Sequence, residues 1–174
     1  MKISCMGCGY VGLVAGTCLA DMGNEVICFD IDKGKINKLE KGIIPIYEPG
    51  LKDMFERNIK EKRLHFSNGI KTAIKESNVI FITVGTPPGK NHEADLFAVE
   101  SVAEQIGRNM NTYKVIVNKS TVPVGTAELV KNIIKRNQTG EYEFDVVSNP
   151  EFLREGEAVK DFTNPDRIVI GTDS

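Results

Sequence analysis

The feature that most constrains this chain is a glycine-rich turn near the N-terminus, between an apolar segment and an apolar helical pattern. Residues 1–6 (M-K-I-S-C-M) predict a strand, and the turn that follows reads G-x-G-x-x-G, with glycines at positions 7, 9 and 12. A second apolar strand, predicted at residues 25–29, ends in Asp30. A strand, a glycine turn, a helix and a second strand with a terminal acid together predict a βαβ unit that binds a dinucleotide.

Each part of this unit has a physical reason. Gly7 allows the tight turn, Gly9 has no Cβ atom to hold a pyrophosphate away, and Gly12 lets the helix pack closely on the strand. The helix start offers unpaired N–H groups and a positive dipole to the phosphates. Asp30 lies near the usual spacing of about 20 residues for the carboxylate that binds the adenosine ribose. The alternative interpretation is a structural βαβ unit whose crevice binds nothing.

Asp30 also predicts NAD rather than NADP as the cofactor. The 2′-phosphate of NADP would be repelled by this carboxylate by about 4 kcal/mol at a separation of ~4 Å and an effective dielectric constant of ~20. Lys33 and Lys35 follow closely and could weaken that discrimination. NAD is therefore the predicted cofactor.

The composition limits the remaining possibilities. The 174 residues carry a net charge of −2, with 41% hydrophobic and 26% charged residues, which is typical of one soluble globular domain. With no basic excess, binding to nucleic acid or to an anionic membrane is not expected. Glycines interrupt the uncharged run at residues 3–20, so we interpret it as a buried strand and helix rather than a signal peptide. We therefore expect a cytoplasmic protein.

The cysteines all fall in the first βαβ unit, at positions 5, 8, 18 and 28. The C-x-x-C pattern of Cys5 and Cys8 lacks the second ligand pair of a zinc site, because His65 and His92 are distant and isolated. A redox pair would open a helix, whereas Cys5 belongs to a predicted strand. We therefore expect buried, reduced thiols and no metal.

Predicted strands and helices alternate along the whole chain. Further strands are predicted at residues 64–66, 78–84, 113–118, 144–147 and 167–170, and helices at 32–41, 51–61, 70–76, 96–110 and 126–137. Such alternation predicts an α/β fold, namely a Rossmann-like, doubly wound, mainly parallel sheet with helices on both faces. We expect residues 1–174 to form this NAD-binding domain as a single unit.

Three loops rich in Gly, Pro, Thr, Ser or Glu each follow a predicted strand, at residues 85–89, 119–125 and 149–156. In an open α/β sheet the ligand lies beyond the carboxyl ends of the strands, so these loops should gather on the cofactor side. Ordinary turn chemistry is the alternative explanation for any one of them.

Five segments carry a resemblance to a known family over nearly the whole chain. They are G-C-G-Y-V-G-L-V (7–14), P-I-Y-E-P-G-L (45–51), V-G-T-P-P (84–88), K-S-T-V-P-V-G-T (119–126) and N-P-E-F-L-R-E-G (149–156). In this order they resemble the amino-terminal, NAD-binding domain of the UDP-glucose/GDP-mannose dehydrogenase family, in its UDP-glucose 6-dehydrogenase branch. The resemblance implies an enzyme that oxidises UDP-glucose to UDP-glucuronate, with the consumption of two NAD molecules.

The resemblance also implies roles for individual residues. The residues matching cofactor-binding positions are Gly7, Cys8, Gly9, Tyr10, Val11, Gly12, Asp30, Lys35, Val84, Gly85, Thr86, Pro87, Ser120, Thr121 and Glu155. The residues matching substrate-binding positions are Glu151, Phe152, Leu153, Arg154 and Glu155. Glu151 resembles the acid/base glutamate of the family, and the resemblance implies that Thr121 is also a catalytic residue.

The spacing of Glu151 and Glu155 allows two interpretations. A four-residue separation brings both carboxylates into one crevice if the segment is helical or turned. Hydride removal from an alcohol needs a base for the hydroxyl proton, which a carboxylate can supply. The alternative is that both are solvated acids flanking Arg154.

The chain also departs from the family pattern. Family members continue into a central helix, a second domain and a nucleotide-sugar domain, which supply a nucleophilic cysteine and a lysine that have no match here. We therefore expect a truncated, cofactor-binding part that binds NAD without turning over substrate, from a parent that is a homo-oligomer. GDP-mannose 6-dehydrogenase stays open as an alternative, although P-D-R-I-V-I-G (165–171) favours UDP-glucose. A non-catalytic NAD-binding or sensing module is the other alternative, and it would not need the 149–156 segment.

Overall fold

A computed structural model describes residues 1–89 and 93–174, so His92 lies outside the described residues. Within these ranges the strands form one sheet: β1 (Lys2–Met6), β2 (Glu25–Phe29), β3 (Leu64–Ser67), β4 (Val79–Ile82), β5 (Lys114–Asn118) and β6 (Phe144–Ser148). Their spatial order is β3-β2-β1-β4-β5-β6, and all neighbouring strands are parallel. This is the strand order of the doubly wound Rossmann fold, which confirms the predicted fold class.

Helices cover both faces of the sheet. They are α1 (Tyr10–Asp21), α2 (Lys33–Glu40), α3 (Leu51–Lys60), α4 (Ile70–Glu76), α5 (Phe97–Asn109), α6 (Thr126–Asn137) and α7 (Ala158–Thr163). One apolar core contains Leu13 of α1, Leu39 of α2 and Phe55 of α3. A second contains Ile106 of α5 and Ile134 of α6, together with residues of α4. These two cores lie on opposite faces of the sheet, as a doubly wound fold requires. A third, smaller cluster joins α1, α3 and α7.

The central strand β1 shows why the sequence forms this sheet. Its residues 3–6 are all buried, in contrast to the alternating pattern of a half-exposed strand. Side chains alternate between the two faces, so that Ile3 and Cys5 join the core with α1, whereas Met6 joins the core with α5. The continuous apolar run of the N-terminus is therefore explained by cover on both faces.

β1 pairs with β2 on one side and with β4 on the other. The chain leaves β1 toward β2 and returns later to β4, so the loops after β1 and β4 run in opposite directions. This is the switch point of the sheet, where a crevice opens beyond the carboxyl ends of the strands.

The C-terminal region differs from the sequence-based expectation. The predicted strand at residues 167–170 is wrong, because only Gly171 pairs with the sheet, through an antiparallel bridge to Ser148. Pro150 follows the end of β6 almost directly and has no N–H group to extend a ladder. The apolar side chains of Ile168 and Ile170 are exposed. Helix α7, which the apolar pattern did not reveal, lies between this region and β6.

The four cysteines are buried, free thiols, in agreement with the expectation of buried, reduced thiols. Cys28 lies so close to Gly16 that a Cβ atom at Gly16 would come within 2.4 Å of its Sγ atom. Among the described residues, no group of three or more His, Cys, Asp or Glu is arranged to hold a metal ion. In the same part of the chain, no helix has the length and apolar character needed to span a membrane.

Candidate functional site

A crevice of about 430 Å³ opens at the switch point of the sheet. It lies between the glycine turn, the end of β2, the end of β4 and one face of α5. Six residues predicted to bind the cofactor line it, namely Gly7, Gly9, Asp30, Lys35, Val84 and Gly85. The structure therefore brings the glycine turn, Asp30 and the loop after β4 to one place.

The glycine turn is fixed in position by its backbone and by β4. Gly7 has a φ of 113°, which side chains rarely adopt, and its N–H donates to the carbonyl of Phe29 at 2.8 Å. The hydroxyl of Thr83 contacts the carbonyl oxygens of Met6 and Gly7 at 3.1 and 3.0 Å. A Cβ atom at Gly12 would lie 1.8 Å from the carbonyl oxygen of Gly7. Gly7 is therefore a glycine because of its positive φ and the nearby backbone of Thr83, and Gly12 because α1 packs so closely on the turn.

Gly9 is different, because its open side faces the crevice. A Cβ atom there would meet nothing within 4 Å, and the φ of −76° would suit other residues. Gly9 is also the N-cap of α1, and no side chain caps the helix there. The first-turn N–H groups of a helix have no acceptor inside the helix. The open space and these donors together fit a pyrophosphate group.

Asp30 is a buried carboxylate at the rim of this crevice. Its Oδ2 atom accepts hydrogen bonds from the Cys8 N–H at 2.9 Å and from Lys35 Nζ at 2.8 Å, and its Oδ1 atom accepts one from the Asp32 N–H at 3.0 Å. Burial raises the pKa of Asp30, but these hydrogen bonds outweigh it and bring the pKa below its ordinary value. Asp30 is therefore ionised at neutral pH and suits ribose hydroxyl groups as donors.

The loops after β4 and β5 meet beside the crevice, as the sequence predicts. The hydroxyl of Thr86 donates to the carbonyl of Thr121 at 2.7 Å. The buried hydroxyl of Ser120 donates to the carbonyl of Val84 at 2.7 Å. Thr121 is exposed, and Pro87 belongs to the same exposed loop as Thr86. The side chains of Thr86 and Ser120 thus hold the two loops together, and neither they nor Pro87 and Thr121 line the crevice itself.

The 149–156 segment lies beside the end of β5 and lines a second cavity, of about 270 Å³. Lys119, Asn149 and Glu151 all line this cavity. The buried Nζ atom of Lys119 donates to Asn149 Oδ1 at 3.1 Å and lies 5.7 Å from the centre of the Phe162 ring. Burial lowers the pKa of Lys119, although the nearby negative charge of Glu151 opposes this. Glu151 is therefore a half-buried carboxylate with a cation near it.

Glu151 and Glu155 do not share a helix face, because residues 151–154 are not helical. Glu151 accepts a hydrogen bond from the N–H of Leu153 at 2.6 Å. Glu155 begins the exposed turn that leads to α7. Glu151 lines the second cavity, whereas Glu155 lies in the exposed turn and does not line it. The two carboxylates therefore have different surroundings.

The turn is also held by an ion pair between Arg154 and Asp161. The guanidinium of Arg154 donates to both carboxylate oxygens of Asp161, at 3.0 and 2.6 Å, and the Arg154 N–H donates at 2.9 Å. The exposed ring of Phe152 lies 4.9 Å from the guanidinium of Arg167. These contacts orient the residues that match substrate-binding positions.

The Arg154 guanidinium and N–H bring the pKa of Asp161 down to about 2. A depressed pKa in the folded state stabilises the fold above the unfolded-state pKa of about 3.9, and this contribution is lost as the pH falls from there toward 2. We therefore expect Asp161→Asn to lower the Tm at pH 7, and the Tm difference from wild type to shrink below about pH 4. Thermal unfolding between neutral pH and the acid limit measures this. Asp173→Asn, at an exposed position, should show no such difference.

Sequence reasoning missed three residues that shape the site. Thr83 binds the Gly7 carbonyl in the glycine turn, Lys119 lies near Glu151, and Glu48 is buried near the start of α1. A polar residue at the end of an apolar strand was the available signal for Thr83. For Glu48 the signal was an acid inside an apolar, proline-rich segment. Neither signal says which distant residues the side chain contacts.

Comparison with known proteins gives a consistent result. The family model described as UDP-glucose/GDP-mannose dehydrogenase family, NAD binding domain, matches residues 1–174. The chain is 57% identical to UDP-glucose 6-dehydrogenase TuaD of Bacillus subtilis over 173 residues, which cover 99% of this chain and 38% of that protein.

Solved structures show the same similarity. A UDP-glucose dehydrogenase from Pyrobaculum islandicum superposes with a TM-score of 0.95 at 41% identity, and a GDP-mannose dehydrogenase from Pseudomonas aeruginosa with 0.94 at 39%. Each alignment covers 99% of this chain and 41% of the solved chain. The chain therefore spans about two fifths of the length of the proteins it matches.

Proposed function

The chain belongs to the UDP-glucose/GDP-mannose dehydrogenase family, as the NAD-binding domain of that family, and we propose that the complete protein carrying it oxidises UDP-glucose to UDP-glucuronate with NAD. The observation that supports this best is the position of the 149–156 segment. It places a half-buried carboxylate, Glu151, beside the end of β5, next to the loops that border the cofactor crevice. A module that only binds NAD has no need of that carboxylate.

In this proposal the domain binds NAD through two groups of contacts. The first-turn N–H groups of α1 and the open side of Gly9 receive the pyrophosphate. Asp30 accepts hydrogen bonds from the adenosine ribose, with Lys35 beside it. The loops that contain Val84 and Thr121 border the nicotinamide end. NAD supplies a hydride acceptor next to the 149–156 segment.

Glu151 would take the proton from the substrate hydroxyl oxygen, while the carbon that bears this hydroxyl loses a hydride to the cofactor. Oxidation of a primary alcohol to a carboxylate removes four electrons, so it consumes two NAD molecules and one water molecule. Phe152, Leu153, Arg154 and Glu155 contact the sugar nucleotide. The four cysteines of the chain are buried, so we expect the chain to bind NAD without turning over substrate by itself.

Turnover by the complete protein tests the proposal. We expect NADH to form with UDP-glucose at a ratio of two NADH to one UDP-glucuronate, and to form much more slowly with GDP-mannose. A preference for GDP-mannose would instead assign the other branch of the family. If NADH forms with neither sugar nucleotide although NAD binds, the protein is an NAD-binding or sensing module.

The preference for NAD over NADP tests Asp30. We expect Asp30→Ser to reduce the ratio of NAD to NADP affinity by at least about 10-fold, because the repulsion of the 2′-phosphate is lost. Titration of this chain with each dinucleotide measures the ratio. Asp53→Ser removes the same charge from an exposed position on α3 and should leave the ratio unchanged. An unaltered ratio in Asp30→Ser would show that another residue selects the cofactor.

A further inference from the structure

The P-I-Y-E-P-G-L segment (45–51) takes no part in the cofactor crevice, yet it carries a carboxylate, Glu48, that is only 4% exposed. Glu48 Oε2 accepts hydrogen bonds from the Tyr10 hydroxyl and from the Gly156 N–H, the latter at 3.0 Å. Glu48 Oε1 accepts a hydrogen bond from the Ala158 N–H at 2.8 Å. One side chain thus joins the first residue of α1 to the turn that ends the 149–156 segment and to the start of α7.

These contacts require an ionised carboxylate. Burial raises the pKa of Glu48, but the hydrogen bonds from Tyr10, Gly156 and Ala158 outweigh it, and the pKa lies below its ordinary value. All three partners are donors, and only a carboxylate offers acceptor atoms at both ends of the side chain. A glutamine at this position would leave at least one buried donor facing its NH₂ group.

The 149–156 segment is held at both ends. At its start, the Asn149 N–H donates to the carbonyl of Asn118 at 3.0 Å, and Asn149 Oδ1 accepts from Lys119. At its end, Glu48 binds the Gly156 N–H. Between these anchors, Glu151 contacts the N–H of Leu153 within its own segment. The position of Glu151 therefore depends on these two anchors, together with the hydrogen bonds from Arg154 to Asp161.

We propose that Glu48 is a positioning residue that fixes the 149–156 segment against the start of α1, and so keeps Glu151 in place relative to the bound cofactor. The part of this inference that concerns Glu151 rests on the proposed function. The hydrogen bond from Tyr10 to Glu48 connects this anchor to the start of α1. Tyr10 directly follows Gly9, so Glu48 ties the segment with the acid to the turn that binds the pyrophosphate.

Glu48→Gln in the complete protein tests the anchor directly by amide hydrogen exchange. We expect exchange at Gly156, at Ala158 or at both to accelerate by at least about 10-fold, because the NH₂ group of the glutamine cannot accept the hydrogen bond of the N–H that faces it. The Val115 N–H, which donates to the Asn78 carbonyl at 3.0 Å, reports on the rest of the fold and should not change. Glu56→Gln, which removes an exposed carboxylate on α3, is the matched control and should leave all three amides unchanged. Unchanged exchange at Gly156 and Ala158 in Glu48→Gln would overturn the proposal.

Kinetics separate positioning from a merely structural role. We expect kcat with UDP-glucose to fall at least about 10-fold in Glu48→Gln, while the Kd for NAD changes far less. Tyr10→Phe removes one hydrogen bond and should lower kcat in the same direction by a smaller factor. The double variant should be no slower than Glu48→Gln alone, because the two side chains act through one anchor. Faster exchange with an unchanged kcat, or additive losses in the double variant, would contradict the role.

The two proposals fail in different ways. If wild-type protein does not oxidise UDP-glucose, the proposed function fails, and the amide exchange still decides whether Glu48 anchors the segment. If wild-type protein turns over normally and Glu48→Gln does so at the same rate, only the positioning role fails.

Discussion

Glu151→Gln is expected to reduce kcat of the complete protein by about 100- to 10,000-fold, the usual contribution of a general base. The glutamine keeps the size of the side chain and can still accept from the Leu153 N–H, but it cannot take up a proton at neutral pH. The affinity for NAD should change little, because Glu151 lines the cavity beside Lys119 and not the cofactor crevice. NADH formation and a separate NAD titration measure the two quantities.

Glu157→Gln is the matched control for this variant. Glu157 lies in the turn that follows the Glu151 segment, is exposed and pairs with Lys160, three residues further on. It should keep turnover close to wild type. Full activity in Glu151→Gln would remove Glu151 from the mechanism, and a loss of NAD affinity equal to the loss of kcat would make it a cofactor-binding residue instead.

Gly12→Ala and Gly9→Ala are expected to differ strongly in stability, although both should lose NAD binding. At Gly12 the new Cβ atom would lie 1.8 Å from the Gly7 carbonyl oxygen, so α1 must move away from β1. Overpacking of this kind costs about 3 kcal/mol or more, which lowers the Tm by about 10 °C in a domain of this size. Gly12→Ala should therefore lose both stability and NAD binding.

Gly9→Ala should lose NAD binding alone. Its Cβ atom meets no protein atom within 4 Å, and its backbone conformation suits alanine, so the free energy of unfolding should stay within about 1 kcal/mol of wild type. The methyl group would occupy the space where the pyrophosphate approaches the helix amides. Losing charge-assisted hydrogen bonds of about 1.5–3 kcal/mol each predicts a rise in the Kd for NAD of about 100-fold.

Thermal unfolding and NAD titration of this chain distinguish the two variants. Equal losses of stability would show that Gly9 packs against the protein. Unchanged NAD affinity in Gly9→Ala would show that the pyrophosphate does not approach this turn, and the dinucleotide site would then lie elsewhere.

Most of the fold could be predicted from the sequence. The strands and helices outside the C-terminal region were predicted to within about two residues, because their apolar periodicity and their glycine and proline boundaries are local properties. The parallel sheet follows from the alternation of the elements. The strand prediction for the C-terminal region was wrong, although it rested on the same apolar pattern. Residues 167–170 have the apolar composition of a strand, but a strand needs a paired backbone, and in this region only Gly171 pairs with β6, through Ser148.

Part of the candidate site could likewise be predicted from the sequence, and part could not. The glycine turn, Asp30 and the three loops after strands could be identified from the sequence, because each is encoded in a few neighbouring residues and the parallel order brings the loops to one edge. The hydrogen bonds of Thr83 to the Gly7 carbonyl and of Glu48 to the N–H groups of Gly156 and Ala158 became visible only in the folded chain. These partners are far apart in the chain, and a buried donor or acceptor can pair with any complementary group that packing brings within hydrogen-bond distance. The sequence shows the chemistry of each group, and packing alone selects its partner.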